Sequence, residues 1–195
     1  TGKGSQFWLR RLDSLESRPI PNTEASEDGE GAQQPFWSTD GRYVGFFDGV
    51  AQKLKRVDLQ TGLVQILSDL PRNQYAGSWN NDGVIIAATA TTNGVQRVSA
   101  AGGPMTQVTT LNKAAGETSH LWPEFLPDGR HFVYLALRGD NPVNPSSGSP
   151  TANFVASLDA GAWNTGLTPE NARACWAAAL DGLPTELPPV EGRPP

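Results

Sequence analysis

Two histidines, one cysteine and a thin scatter of carboxylates are the groups in this 195-residue sequence that could carry chemistry. His120 and His131 lack metal-ligand spacing. There is no H-E-x-x-H helix pair, no paired cysteine and no EF-hand run, so a zinc or calcium site has no support. Cys175 stands alone, and one thiol makes neither an internal disulfide nor a cysteine-based metal site. It leaves the redox compartment open. No G-x-S-x-G elbow offers a serine nucleophile. Gly29-Glu30-Gly31 suggests a phosphate loop, but it has no third glycine, no helix behind it and acids around it. No residue is therefore assigned a catalytic, metal-binding or cofactor-binding role, no cofactor is expected, and ligand-binding residues stay unknown.

The remaining polar candidates read as structural. His131 falls where a strand begins after Asp128-Gly129. His120 falls in the segment Gly116 to His120, read as a loop, and is the better binding candidate of the two, although a satisfied loop histidine is the plainer reading. Glu24, Glu27, Asp28 and Glu30 form an acidic stretch that fits a solvated insertion better than a cation or basic-partner site. Arg138-Gly139-Asp140 spells an adhesion tripeptide and carries no weight without an adhesive context. Asp40, Asp82 and Asp128 recur, each directly before a glycine, which marks them as turn formers rather than catalytic acids.

That recurrence leads to the elements that position these side chains. Gly41, Gly83 and Gly129 follow at intervals of 42 and 46 residues, and Trp37, Trp79 and Phe125 keep the same intervals. The three segments run from Pro35 to Phe47, Gly77 to Ala87 and Pro123 to Leu135. A second element repeats out of phase: Leu54 to Gly62, then Val95 to Gly103, with Leu9 to Asp13 ahead of them and Phe154 to Asp159 behind. A period in the forties fits one four-stranded propeller blade. Asp-Gly signals a tight two-residue hairpin turn, because glycine adopts φ > 0 cheaply. The following strands (Tyr43 to Phe47, Val84 to Ile86) read as buried on both faces. A plain sandwich with accidental Asp-Gly turns is the competing reading, and two superposed repeats at nearly one period count against it. Trp37, Trp79, Phe125 and Trp122 are read as blade-packing aromatics, so Trp37→Ala is expected to cost a few kcal/mol, as large core deletions do.

Composition agrees. Gly (21) and Pro (16) are plentiful, and hydrophobic residues make up 37%, which suits short strands and tight turns. The net charge of −5 argues against a nucleic-acid face. No apolar run, neither Val84 to Ala88 nor the longer Ala174 to Leu180, approaches the ~20 residues of a membrane helix. The opening Thr1-Gly2-Lys3-Gly4 has no initiator Met and no apolar leader, so the chain is read as a fragment of a longer protein.

Pro35-Phe36-Trp37-Ser38-Thr39-Asp40-Gly41-Arg42 resembles the WD-like, TolB-type propeller repeat, with Thr39 where that family places proline. Pro127-Asp128-Gly129-Arg130 keeps the pattern with Leu126 for serine, and Asn81-Asp82-Gly83 keeps it loosely. Phe7 to Leu15, Pro35 to Phe47, Leu54 to Leu59 and Gly116 to His120 resemble propeller regions of bacterial receptor-type serine/threonine protein kinases. The resemblance spans about residues 5 to 160 and implies an extracytoplasmic location, periplasmic or cell-surface. The chain has no kinase motif of its own.

The expectation is therefore an all-β chain: a partial β-propeller of four-stranded antiparallel blades over residues 1–160 (two outer strands, two full blades and part of a third). Residues 161–195 are expected to form a non-propeller tail. Thr168-Pro169-Glu170 caps a helix over about 169–181, and the last residues, Pro184 to Pro195, form a disordered Pro-rich end. Such a tail fits a natural extension or a reading-frame slip near residue 160. The expected function is a non-catalytic binding or sensing module in a larger receptor-type kinase. Alternatives are the gating propeller of a prolyl-oligopeptidase-type hydrolase and a TolB-like periplasmic scaffold. The partner is a protein, peptide or small ligand, with no nucleic acid and no membrane contact by this segment. Unpaired blade edges predict poor solubility for the isolated fragment.

Overall fold

The computed structural model describes residues 6–24, 32–71, 76–89, 94–138, 152–158 and 165–166. The described chain is all-β apart from one 3-10 turn at Lys113–Ala115. A two-stranded sheet pairs β1 (Trp8–Arg10) with β2 (Ser17–Pro19). Three four-stranded antiparallel sheets follow: β3 (Ala32–Trp37), β4 (Tyr43–Asp48), β5 (Lys53–Asp58) and β6 (Val64–Asp69); β7 (Ala76–Trp79), β8 (Val84–Ala88), β9 (Gln96–Ser99) and β10 (Thr106–Gln107); β11 (Glu117–Phe125), β12 (His131–Arg138), β13 (Ala152–Ser157) and β14 (Thr165–Gly166). Each meanders from inner to outer strand, which is the blade plan the repeat predicts. The third sheet takes its fourth strand from Thr165–Gly166, in the stretch that the sequence reading gives to the tail; two residues carry no hydrophobic pattern to read. The helix expected at 169–181, the Pro-rich end, Cys175, most of the acidic stretch and Gly139-Asp140 lie outside the described residues.

The core lies between sheets. Val44 and Phe46 of β4 pack with Ile20, Phe7 and Leu9 of the two-stranded sheet. Phe36, Phe47 and Leu54 of the first blade pack with Trp79, Ile85 and Ala87 of the second. Ile86 and Val95 of the second meet Phe132, Tyr134 and Phe154 of the third. Alternate residues of one strand thus enter successive interfaces, as the period of two requires. That is why β4 and β8 are buried on both faces, with Val44 to Phe47 and Ile85 to Ala88 all inaccessible. Burying each large side chain among them (Val44, Phe46, Phe47, Ile85, Ile86) stabilises the stack by roughly 1.5–3 kcal/mol.

The three Asp-Gly hairpins form, but they are longer than the two-residue turn expected. Ser38 N donates to Tyr43 O and Leu126 N to His131 O, closing four-residue loops, while Asn80 N donates to Val84 O and closes a three-residue loop. The glycine ends a type I-like turn in the left-handed region, at φ +68° for Gly41, +72° for Gly83 and +67° for Gly129. Such loops need φ > 0 at one position only.

Trp37 corrects the sequence reading. It is 53% exposed, whereas Trp79 is 8% exposed. The two hold the same register position, Trp37 opposite Val44 and Trp79 opposite Ile85. Trp79 points back at the first blade, where its ring lies 6.0 Å from Tyr43 and 6.5 Å from Phe36. Trp37 points back at the two-stranded sheet, which has no inner hairpin among the described residues to receive it. The buried aromatic of β3 is Phe36 instead.

Candidate functional site

The densest buried polar cluster joins the second and third blades. His120 is fully buried. It lies within β11 rather than in a loop, which corrects the sequence reading: Glu117 to Leu121 pair with β12 through a bulge that hides the strand period. His120 Nδ1 lies 2.7 Å from Thr109 Oγ1, and its Nε2 lies 3.1 Å from Glu117 Oε2. The Glu117 carboxylate only accepts, so Nε2–H donates to it and Nδ1 of the neutral ring accepts the Thr109 hydroxyl proton. Thr109 Oγ1 in turn accepts the Val95 N–H at 2.8 Å. The same carboxylate oxygen accepts Asn112 N–H at 2.7 Å, and Arg138 Nη2 stands 3.8 Å from its other oxygen. Tyr134 packs on the imidazole with centroids 4.5 Å apart. Burial holds the His120 pKa below the usual histidine value, against the opposing pull of Glu117. Burial likewise pushes the Tyr134 phenol up.

Hydroxyl, imidazole and carboxylate in line is the order of a nucleophile, its base and its orienting acid. Here all three side chains are buried, and the Thr109 oxygen already serves the Val95 N–H. The arrangement fastens the irregular segment after β10 to the inner strand of the next blade. Sequence reading found His120 and missed Thr109 and Glu117. Neither offers a signal: Thr109 lies in an irregular stretch, and Glu117 is one of many acids.

A second feature recurs on inner strands. Gln34 and Trp122 both adopt positive φ, +50° and +49°, at register shifts in β3 and β11. Each precedes a proline, and proline in a strand marks an edge or bulge; Pro35 and Pro123 are thus signals that the sequence reading did not use. Trp122 is 54% exposed and is not the packing aromatic expected from sequence.

Of the repeat aspartates, Asp40 Oδ1 accepts the Ser38 hydroxyl at 2.6 Å and Arg42 N–H at 3.0 Å. Asp128 Oδ1 accepts Arg130 and His131 N–H at 2.9 and 3.0 Å. His131 stands at the head of β12 with Nδ1 2.5 Å from Asp128 Oδ2. In the second blade the role passes from Asp82 to Asn80, whose Oδ1 accepts the N–H groups of Asp82 and Val84 at 3.1 and 2.8 Å. Phe125 closes the set, half-buried, with its N–H on Ser78 Oγ at 3.1 Å and its ring edge-on to Phe132. Glu24 accepts from the Gln6 amide at 2.7 Å. Among the described residues no group of three or more His, Cys, Asp or Glu could hold a metal ion, and no helix is long and apolar enough to cross a membrane.

This inner-to-outer stacking of blades is shared with solved structures. A TolB-type protein from Agrobacterium tumefaciens superposes with a TM-score of 0.63 over 82% of this chain and 55% of its own, at 15% identity. TolB from Acinetobacter baumannii gives 0.62 over 84% and 38%, at 17% identity. The fold is a partial β-propeller, similar to the propellers of these TolB proteins. A prolyl endopeptidase also aligns, with a TM-score of 0.55 over 84% of this chain and 25% of its own, at 18% identity. This propeller segment spans less than two thirds of each of these chains. No family model matches the sequence, and no curated protein does.

Proposed function

We propose that this chain is a non-catalytic segment of a larger β-propeller that binds or senses a protein, peptide or small ligand, as the extracytoplasmic part of a bacterial receptor-type serine/threonine kinase. The observation that carries the reading is the exposed Trp37, held at the register where Trp79 is covered by a preceding blade. It calls for an inner hairpin beside β1, and so for a larger ring. The Thr109–His120–Glu117 cluster is sealed from solvent, so it is read as a fastening between blades rather than as the functional site. The kinase assignment rests on the sequence resemblance alone.

A gating propeller of a prolyl-oligopeptidase-type hydrolase is the second reading, favoured by the aligned prolyl endopeptidase. Sequencing the DNA on both sides of the reading frame tests both. A kinase domain and membrane helix upstream, with further blades, is the expected result. A downstream hydrolase with its serine elbow replaces it with the gate, and a bare signal peptide with no attached enzyme replaces it with a TolB-like scaffold.

A further inference from the structure

The second blade departs from the first at one place. In the first blade, Tyr43 fills the outer part of the face turned toward the next blade. Arg56 lies over its ring at 4.5 Å and Arg42 at 5.1 Å. Arg56 is also held by Gln65 Oε1 at 2.8 Å, and Arg42 by Asp58 Oδ2 at 2.8 Å. Register fixes the counterparts. Tyr43 opposite Asp58 becomes Val84 opposite Ser99, and Arg56 opposite Gln65 becomes Arg97 opposite Thr106. The shorter Asn80–Val84 loop has no counterpart of Arg42.

The guanidinium is thus retained while its ring, its amide anchor and its neighbouring pair are replaced by smaller groups. A cleft of about 260 Å3 opens there, with Asp82, Val84, Arg97, Ser99 and Thr106 in its lining. Asp82 lines it with a carboxylate that Asn80, which accepts the turn N–H groups in its place, leaves free of turn duty. No hydrogen bond or ion pair engages the Asp82 carboxylate or the Arg97 guanidinium among the described residues.

We infer that this cleft binds an aromatic ring carrying a hydrogen-bond donor, such as a phenol, with the ring under Arg97 as Tyr43 lies under Arg56 and the donor on Asp82. A guanidinium over a ring face is attracted by the ring's quadrupole, and Ser99 and Thr106 line the cleft with hydroxyls. The inference rests on the binding-module reading and gives that module a ligand class.

The test uses the full chain, 15N-labelled, titrated with N-acetyl-tyrosinamide and followed by NMR at the backbone of residues 82–84 and 97–99. Saturable shifts with a Kd of about 1–10 mM are expected. The size-matched cyclohexylalanine amide should bind at least about fivefold more weakly, since it lacks the ring quadrupole. Val84→Tyr copies the first blade and should abolish binding while preserving the melt. Arg97→Gln should weaken binding by about fivefold or more and settles the matter if Val84→Tyr does not fold. Absence of shifts, equal binding of the cyclohexyl analogue, or unaltered binding by a folded Val84→Tyr or by Arg97→Gln overturns the assignment. A Gly-Gly-Tyr-Gly peptide that binds more tightly than the amide identifies a partner's side chain as the occupant; equal affinity identifies a free small aromatic. A bound ring beside a downstream hydrolase gene would keep the cleft and discard the sensor reading. An unoccupied cleft in a kinase-linked propeller would do the reverse.

Discussion

Phe36 is paired directly across from Gly45, and a Cβ at residue 45 would stand 2.3 Å from its ring. The ring also leaves no room at Gly77 of the next blade, where a Cβ would stand 2.7 Å away. In the second blade the same cross-strand pair is Ser78 and Ile86. Large and small have changed places, so each pair fills the inter-blade space once.

Gly45→Ala is therefore expected to destabilise the chain by about 1–3 kcal/mol through overpacking, and Gly77→Ala by a similar amount. The double change Phe36→Ser with Gly45→Ile installs the second blade's pair. It should cost less than the sum of its singles, by a coupling of about 0.5–3 kcal/mol. Urea unfolding of the four proteins measures this; strict additivity would show that the pair does not share a space.

Trp37 and Trp79 separate sequence position from burial. Trp79→Ala is expected to cost about 3–5 kcal/mol, as for other large core deletions. Trp37→Ala should stay within about 1 kcal/mol in this chain, because half of its surface is already in water. Comparing the two melting temperatures decides it. Adding the flanking polypeptide to the expressed protein should raise the cost of Trp37→Ala toward that of Trp79→Ala if an inner hairpin covers it.

The same contrast shows what the sequence could reveal. The spacing of Gly41, Gly83 and Gly129 sufficed for blades and hairpins, because a left-handed turn residue is a local demand that one residue type meets. Trp37 was misread as packed, because its burial depends on the preceding sheet rather than on its own strand. The Thr109–His120–Glu117 contact was equally invisible: it forms only when an irregular segment of one blade meets the inner strand of the next. The swap of turn duty from Asp82 to Asn80 was readable in principle, since asparagine accepts the same N–H bonds, but Asp-Gly recurs in all three blades and gives the same turn signal whether or not its aspartate holds the turn.

Asn80→Ala is accordingly expected to cost about 1–3 kcal/mol, and Asp82→Ala to stay within about 0.5 kcal/mol. Asn80 is buried, holds its own turn, and donates Nδ2 to Gly129 O at 2.7 Å, linking the turns of two blades. Chemical denaturation of both variants tests the assignment, and a larger loss at Asp82 would contradict it.

His120 sets the response to mild acid. Burial, its largest influence, lowers the folded-state pKa below the usual histidine value of about 6.5. The unfolded chain then binds more protons at this site than the folded one between that lowered value and about 6.5. Unfolding free energy should therefore fall as pH drops from about 7 toward 5, and change little at this site above about 7. Asp40, Asp48, Asp58 and Asp128 are held below the usual carboxylate range, and their stabilising contributions are lost only below about pH 5, so they act in a separate window. Glu124, raised by partial burial, acts in the opposite sense, which makes a comparison of variants more informative than one profile. His120→Gln keeps hydrogen-bonding capacity without titrating. Relative to the parent it should be less stable at pH 7.5 and show a flatter slope from pH 7 to 5. Urea unfolding at a series of pH values gives both numbers, and parallel slopes for the two proteins would mean that His120 does not govern acid sensitivity.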